Sequence, residues 1–394
     1  MFSEIENNED SEINPLSTRW AWVEVDRSRL RNNYVAVKNS LRPGVKVLAV
    51  VKADAYGHGA VECAKEFSAC GCDYLGVATV KEGVELRDAG LTKPILMLSQ
   101  PPISAIATIL ENDIMPTVFD SEFAIQYGEI ADARGLRAPY HLKINTGMNR
   151  IGVNWKDAAD FARMVSFHRA LDLEGTFTHF ATADEIDTMD FEKQASRFVS
   201  AINEMKACGI NPGIVHCANS ATTLKYPEVH FDMVRPGIIL YGLKPSPSTF
   251  PKLDLKPAMS VKARVTDVKS VPLGEGVSYG LRYRSRGYAK ICTIGVGYAD
   301  GLHRCVSGKI GFIMDKEKHP QVGSICMDQC MFEVSQRNLV NKAVYDPIPG
   351  DVVTVIGEEG DLKVTLDEMA DAASTINYEL ACDFGKMRLD RIYV

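Results

Sequence analysis

The feature that most restricts what this chain can fold into is a rhythm. Apolar, β-branched runs of strand length fall near residues 45–53, 72–80, 94–99, 114–120, 140–147, 173–181, 214–220 and 233–242. Such unbroken runs suit strands covered on both faces, as parallel strands are. Most gaps hold helix-like segments, among them 81–89, 103–112, 121–134, 155–169 and 188–209. The repeat predicts a (β/α)8 barrel over residues 28–257. A doubly wound open sheet is the competing arrangement, because alternation alone does not show that a sheet closes.

The texture changes after Lys256-Pro257. Segments 259–271, 289–298, 309–314, 321–326 and 352–357 are strand-like and separated by Gly and Pro turns, so residues 258–394 read as a second, mostly β domain. One late helix is signposted there by Thr365 and Glu368, which form a capping box ahead of Leu366, Met369, Ala370 and Ala373 on one face. Residues 1–18 read as a disordered acidic tail. Trp22 to Asp26 alternates like a strand, and a helical pattern follows from Ser28.

Composition excludes several classes. With 46% hydrophobic and 24% charged residues the chain can bury a full core, and a net charge of −7 argues against a broad grip on nucleic acid. No apolar run approaches the roughly 18 residues of a membrane span. The start is acidic, without the basic-then-apolar order of a secretory signal, so a cytoplasmic location is expected. The ten cysteines are scattered. Cys70/Cys72 and Cys326/Cys330 lack a second Cys or His pair at zinc spacing, so reduced thiols and no metal are expected.

Barrels of this kind carry their chemistry at the C-terminal ends of the strands. The first strand runs into Val51-Lys52-Ala53-Asp54-Ala55-Tyr56-Gly57-His58-Gly59. A lysine closing an apolar strand is poorly solvated and therefore nucleophilic, although one that snorkels to the surface would look the same. The fifth carries Lys143 and ends near Arg150, which could equally be charges at a rim. The sixth ends at His179, and a lone histidine there is more often a core residue than a catalyst. The seventh ends Asn219-Ser220, a helix cap or a phosphate corner. The eighth carries Arg235-Pro236-Gly237-Ile238, where Gly237 lets a ligand approach the backbone. Together these put an amine, two guanidiniums, an imidazole and a phosphate-binding corner at one barrel mouth, a set that fits a phosphorylated aldehyde cofactor.

The motifs that carry a wider resemblance are the 50–59 segment, Thr-Gly-Met-Asn-Arg-Ile-Gly (146–152), His-Phe-Ala-Thr-Ala-Asp-Glu (179–185), Asp-Met-Val-Arg-Pro-Gly-Ile (232–238), Val-Ser-Tyr-Gly (277–280), Gly-Tyr-Ala-Asp-Gly (297–301) and Cys-Met-Asp (326–328). In this order, over nearly the whole chain, the sequence resembles the alanine racemases. The resemblance implies a pyridoxal 5'-phosphate enzyme that interconverts L- and D-alanine and supplies D-alanine for peptidoglycan. It implies Lys52 as the cofactor's lysine and as one base, with Tyr279 as the other on the opposite face. Tyr56, Ser220, Gly237 and Ile238 would hold the phosphate, with Tyr298 nearby and Asn219 also binding the cofactor, while Arg235 would face the pyridine nitrogen, Arg150 the phenolic oxygen, and His179 would lie against the ring. Lys143 matches a lysine often carbamylated in the family. Met327, with Asp328 and Arg150, would meet the substrate. The resemblance also implies a homodimer whose partner supplies Tyr279 and Met327, and it puts the opening strand (19–27) with the β domain.

Two positions depart from the family pattern. Asn145 replaces an aspartate, a local change. Met387 stands where the family has a tyrosine that limits the substrate pocket, which leaves serine or another small amino acid open as substrate. A non-catalytic barrel that binds pyridoxal phosphate for homeostasis is the alternative of another class. Such proteins lack the β domain that would deliver Tyr279.

Overall fold

The computed structural model describes residues 19–246, 253–334, 346–385 and 388–394. The acidic tail and Met387 lie outside the described residues. The chain divides into two compact units: Asp26–Ala258, joined by the last residue Val394, and Met259–Tyr393 together with the chain's start through Val25.

The first unit is a closed barrel. Its eight strands are Lys46–Val50, Tyr74–Val77, Ile95–Met97, Ile114–Val118, Ala138–Asn145, Leu171–Phe177, Ile214–Ala218 and Met233–Val234. Each pairs in parallel with the next, and the short eighth strand pairs both with the seventh and back with the first. Closure settles the choice against an open sheet. All eight expected strands are present; seven are shorter than their apolar runs, and the fifth, Ala138–Asn145, has the expected length but begins two residues earlier. Side chains of period two fill the lumen: Leu48 and Val50 from the first strand meet Tyr74, Leu96, Met115 and Met233.

Helices cover the outside, and several start at polar caps. Asp26 accepts from the Arg29 amide at 3.0 Å, and Asp120 from the Phe123 amide at 2.9 Å. Thr79 and Glu82 form a capping box at the start of Val80–Asp88. Each such cap stabilises its helix by about 1 kcal/mol. The burial pattern of Met189–Ala207 shows the stripe expected of a surface helix, with Phe191, Gln194, Phe198, Ala201, Ile202 and Met205 inward.

The second unit is a curled antiparallel sheet. Met259–Val271 pairs with Ala289–Ile294, which pairs with Cys330–Val334. The ladder runs on through Glu317–Val322, Gly311–Met314 and Val352–Glu359, and the last pairs back with Met259–Val271 to close the ring. Ala21–Val25 adds antiparallel to Met259–Val271 and parallel to Asp390–Tyr393. The helix Leu366–Ala373 begins at the Thr365/Glu368 capping box. The expected strand at 321–326 is displaced toward the N-terminus: the ladder ends at Val322, and Gly323 at φ +70° turns the chain into a loop.

Candidate active site

Lys52 follows the end of the first barrel strand and opens an unusual turn. Ala53, Asp54, Ala55 and Tyr56 all have φ between 52° and 54°, four consecutive L-residues in left-handed backbone. Left-handed geometry costs roughly 1–2 kcal/mol per residue, so it persists only where neighbours fix it. Glu82 does much of this. One carboxylate oxygen accepts from the Ala53 amide at 2.8 Å, and the other accepts from the amides of Ala78 at 2.7 Å and Thr79 at 3.0 Å. Asp54 adds a bond from the Ala60 amide at 2.8 Å.

The turn delivers Tyr56 to the end of the eighth strand. A Cβ on Gly237 would lie 2.3 Å from the Tyr56 hydroxyl, so only glycine fits beneath it. The Gly237 amide donates to Ser220 Oγ at 2.9 Å, which leaves the serine's own hydrogen to donate outward. Ile238 is buried and begins a 3-10 turn. Asn219 is engaged differently. Its side-chain oxygen caps the helix Ser220–Lys225, accepting from the amide and hydroxyl of Thr222, both at 3.0 Å. Tyr56, Ser220, Gly237 and Ile238 therefore form one corner that offers hydroxyl donors over bare backbone.

Arg235 is buried beside that corner. Its terminal nitrogens donate to the Thr178 carbonyl at 2.9 Å, the Cys217 carbonyl at 3.2 Å, His179 Nδ1 at 3.2 Å and His216 Nδ1 at 3.0 Å. The guanidinium also lies 5.1 Å from the Phe177 ring centroid. Burial draws it down to about 10, so it remains charged at neutral pH. His179, half-buried by area but surrounded by cations, is driven well below the ordinary histidine range, first by burial and then by Arg235, Lys143, Arg150 and Lys52. A neutral imidazole is thus built into the site.

Lys143 is buried with its amine 4.6 Å from the Phe177 ring. Burial, then Arg235 and Arg150, hold its pKa well below the ordinary lysine value. Arg150 itself is exposed at the rim. Among the described residues no carboxylate forms an ion pair with Lys143.

In the β unit, the 323–328 loop gathers the remaining candidates. Ser324 donates from its hydroxyl to the Tyr279 carbonyl at 2.9 Å, while Ser278 donates to the Ser324 carbonyl at 2.6 Å. The amides of Tyr298 and Ala299 donate to the carbonyls of Cys326 and Met327, both at 3.0 Å. Among the described residues the Met327 amide donates no backbone hydrogen bond, so its N–H remains to be offered. Within this unit Tyr279 is 71% exposed and Met327 54%. Asp328 bonds Arg388 at 2.6 Å, and buried Asp300 pairs with Arg19.

Comparison with known proteins decides the family. The alanine racemase N-terminal domain model matches residues 25–245, and the C-terminal domain model matches 258–393. The alanine racemase of Desulfovibrio desulfuricans is 45% identical over 376 residues, 95% of this chain and 98% of that protein. The chain belongs to the alanine racemase family. Among solved structures, alanine racemase from Clostridium difficile 630 superposes with a TM-score of 0.89 at 40% identity, covering 96% of each chain. A histidine racemase from Leuconostoc mesenteroides subsp. sake superposes at 0.87 with 30% identity, covering 96% of this chain and 98% of that one. One scaffold therefore serves different side chains. Alanine racemases are isomerases that depend on pyridoxal phosphate. The residues here fit that group: an amine at a strand end, a hydroxyl corner over glycine, and a buried cation able only to donate.

Several residues in this network carry weak sequence signals. Glu82 could have been singled out through its Thr-x-x-Glu spacing from Thr79. His141, His216 and Phe177 look like ordinary strand residues, and only closure of the barrel brings them to Arg235.

Proposed function

We propose that Lys52 and Tyr279 are the two bases of the alanine racemisation that this pyridoxal-phosphate enzyme carries out, one on each face of the substrate's Cα. Racemisation removes a proton from one face and returns one to the other, so one base per face is the economical arrangement. The cofactor supplies a sink for the charge left on Cα when the proton leaves. The protein's part is to hold, orient and move protons. Tyr56, Ser220, Gly237 and Ile238 would grip the phosphate, with Tyr298 adding to the grip and Asn219 acting through its cap. Arg235 would face the pyridine nitrogen. A guanidinium donates a hydrogen bond there without giving up its proton, which keeps the sink weak and favours quick return of the proton to Cα.

Lys143 would carry a carbamate, formed when its neutral amine adds to carbon dioxide and releases one proton. The depressed amine and the adjacent cations favour that product, and its negative charge would hold Arg150 toward the cofactor's phenolic oxygen and the substrate. Met327, through its amide, would receive the substrate carboxylate beside Asp328. Tyr279 and Met327, both exposed on their own unit, would act in the site of a partner subunit of a homodimer. The cellular role would be D-alanine supply for peptidoglycan in the cytoplasm; among the described residues no helix is long and apolar enough to cross a membrane.

The observation that carries this reading is the barrel mouth, where the Lys52 turn, the Tyr56–Gly237–Ser220 corner and buried Arg235 come together. The test is a chiral assay of the purified protein on alanine and serine, with and without added pyridoxal phosphate. Cofactor-dependent racemisation with the higher kcat/KM for alanine is expected. A clear serine preference would overturn the alanine assignment, and no turnover of either despite bound cofactor would favour a homeostasis role.

A further inference from the structure

Two imidazoles stand in line behind Arg235. His141 lies two residues before Lys143 on the fifth strand, so alternation sets both on one face. His216 comes from the seventh strand and stacks flat on Phe177, with ring centroids 4.8 Å apart and planes 4° apart. Its Nδ1 is 3.0 Å from Arg235, and its Nε2 is 2.8 Å from His141 Nδ1. All three side chains are buried.

One arrangement of protons satisfies both contacts in this line, although His141 Nε2 at its far end is buried without a hydrogen-bond partner among the described residues. A guanidinium donates and never accepts, so His216 Nδ1 must present a lone pair. A neutral His216 then carries its proton on Nε2 and donates it to Nδ1 of His141, whose own proton must sit on Nε2. Any extra proton would set two N–H groups against each other. Desolvation acts in the same direction: burial, with Arg235 and Lys46 adding to it, drives His141 down to about 3, and burial with Arg235 drives His216 well below its ordinary value.

The backbone makes room for the second ring. A Cβ on Gly175 would lie 2.5 Å from both Cε1 and Nδ1 of His141, and the pairing of the fifth and sixth strands shifts register between Tyr140 and His141. Burying a polar pair where an apolar side chain would pack more simply costs free energy, and the cost is raised by the unpartnered His141 Nε2, so the pair calls for a role.

We propose that His141 is a positioning residue for the reaction: it locks His216 in the tautomer that accepts from Arg235, and so fixes the guanidinium that faces the cofactor. The inference rests on the role given to Arg235 above. A His216 that donates from one nitrogen becomes a stronger acceptor at the other, so the far imidazole reinforces a bond it does not touch. Without His141, the His216 Nε2 proton loses its buried acceptor. The ring then has reason to shift its proton or turn, and Arg235 loses one of the contacts that hold its plane.

The test combines histidine-selective ¹⁵N NMR of the holoenzyme with kinetics of His141→Phe and His141→Gln. In the unaltered enzyme, Nδ1 of both His141 and His216 should give the shift of an unprotonated nitrogen and Nε2 that of a protonated one. His141→Phe should lose the fixed His216 tautomer and lower kcat for alanine about tenfold, the weight of one buried hydrogen bond, with KM nearly unchanged. His141→Gln, whose amide oxygen can accept from His216, should recover most of that loss and the tautomer signal. A proton on His216 Nδ1 in the unaltered enzyme overturns the inference even if neither variant folds. So does a folded His141→Phe with unchanged His216 shifts and kcat. An unaltered enzyme that binds no pyridoxal phosphate and racemises nothing would instead overturn the underlying functional reading, a different and separately visible outcome.

Discussion

A methyl group at position 237 would collide with the Tyr56 hydroxyl at 2.3 Å, and the hydroxyl sits at the end of a turn that cannot relax freely. Gly237→Ala should therefore displace Tyr56 and weaken pyridoxal-phosphate affinity by about tenfold, one hydrogen bond's worth, measured by titrating apoenzyme with cofactor. Unchanged affinity would show that the phenol does not hold the phosphate. Lys52→Ala should abolish the lysine-bound cofactor absorbance. Lys143 can be checked by mass: the native protein should be heavier than expected by one carbon dioxide, and activity should fall in carbon-dioxide-free buffer and return with bicarbonate. At this scale the sequence singles out the chemically distinctive candidates, because amines, guanidiniums and glycines at strand ends stand out. It passes over Glu82, His141 and His216. Their roles arise from partners far away along the chain, 29 residues for Glu82 to Ala53 and 75 for His141 to His216.

The elements were legible where a single physical rule governs them. Eight apolar runs gave eight strands, and the Thr365/Glu368 spacing gave a helix start. The left-handed turn at 53–56 was not legible, since no local propensity favours Ala or Tyr in that geometry; Glu82 holds it from outside and Asp54 from within. Cys330–Val334 was also passed over, a short strand behind a loop that looked like strand itself. Removing the charge at Glu82 tests the element directly. Glu82→Gln should cost about 1–3 kcal/mol, the worth of hydrogen bonds to a charged group, and lower cofactor affinity along with thermal stability. A drop in stability with no change in cofactor affinity would separate the turn from cofactor binding.

At the scale of the molecule, burying neutral histidines links stability to pH. His141 titrates near 6.5 when unfolded and at about 3 when folded, and His179 and His216 shift the same way. Between those values the unfolded chain binds more protons, so their contribution is complete above about pH 6.5 and declines as pH falls toward 3. Thermal midpoints should fall across that window, and His141→Phe should make the decline shallower. If sites are completed across a dimer, mixing Lys52→Ala and Tyr279→Phe proteins under exchange should restore about a quarter of full activity, since mixed dimers carry one intact site. Two bases on opposite faces make the sharpest demand of all. The measurement is exchange of the alanine α-hydrogen with deuterium oxide, followed by NMR for each enantiomer separately in Tyr279→Phe. Exchange from one enantiomer should persist through Lys52 while exchange from the other drops on the order of 10²–10⁴. Equal slowing of both enantiomers would contradict the assignment of one base to each face.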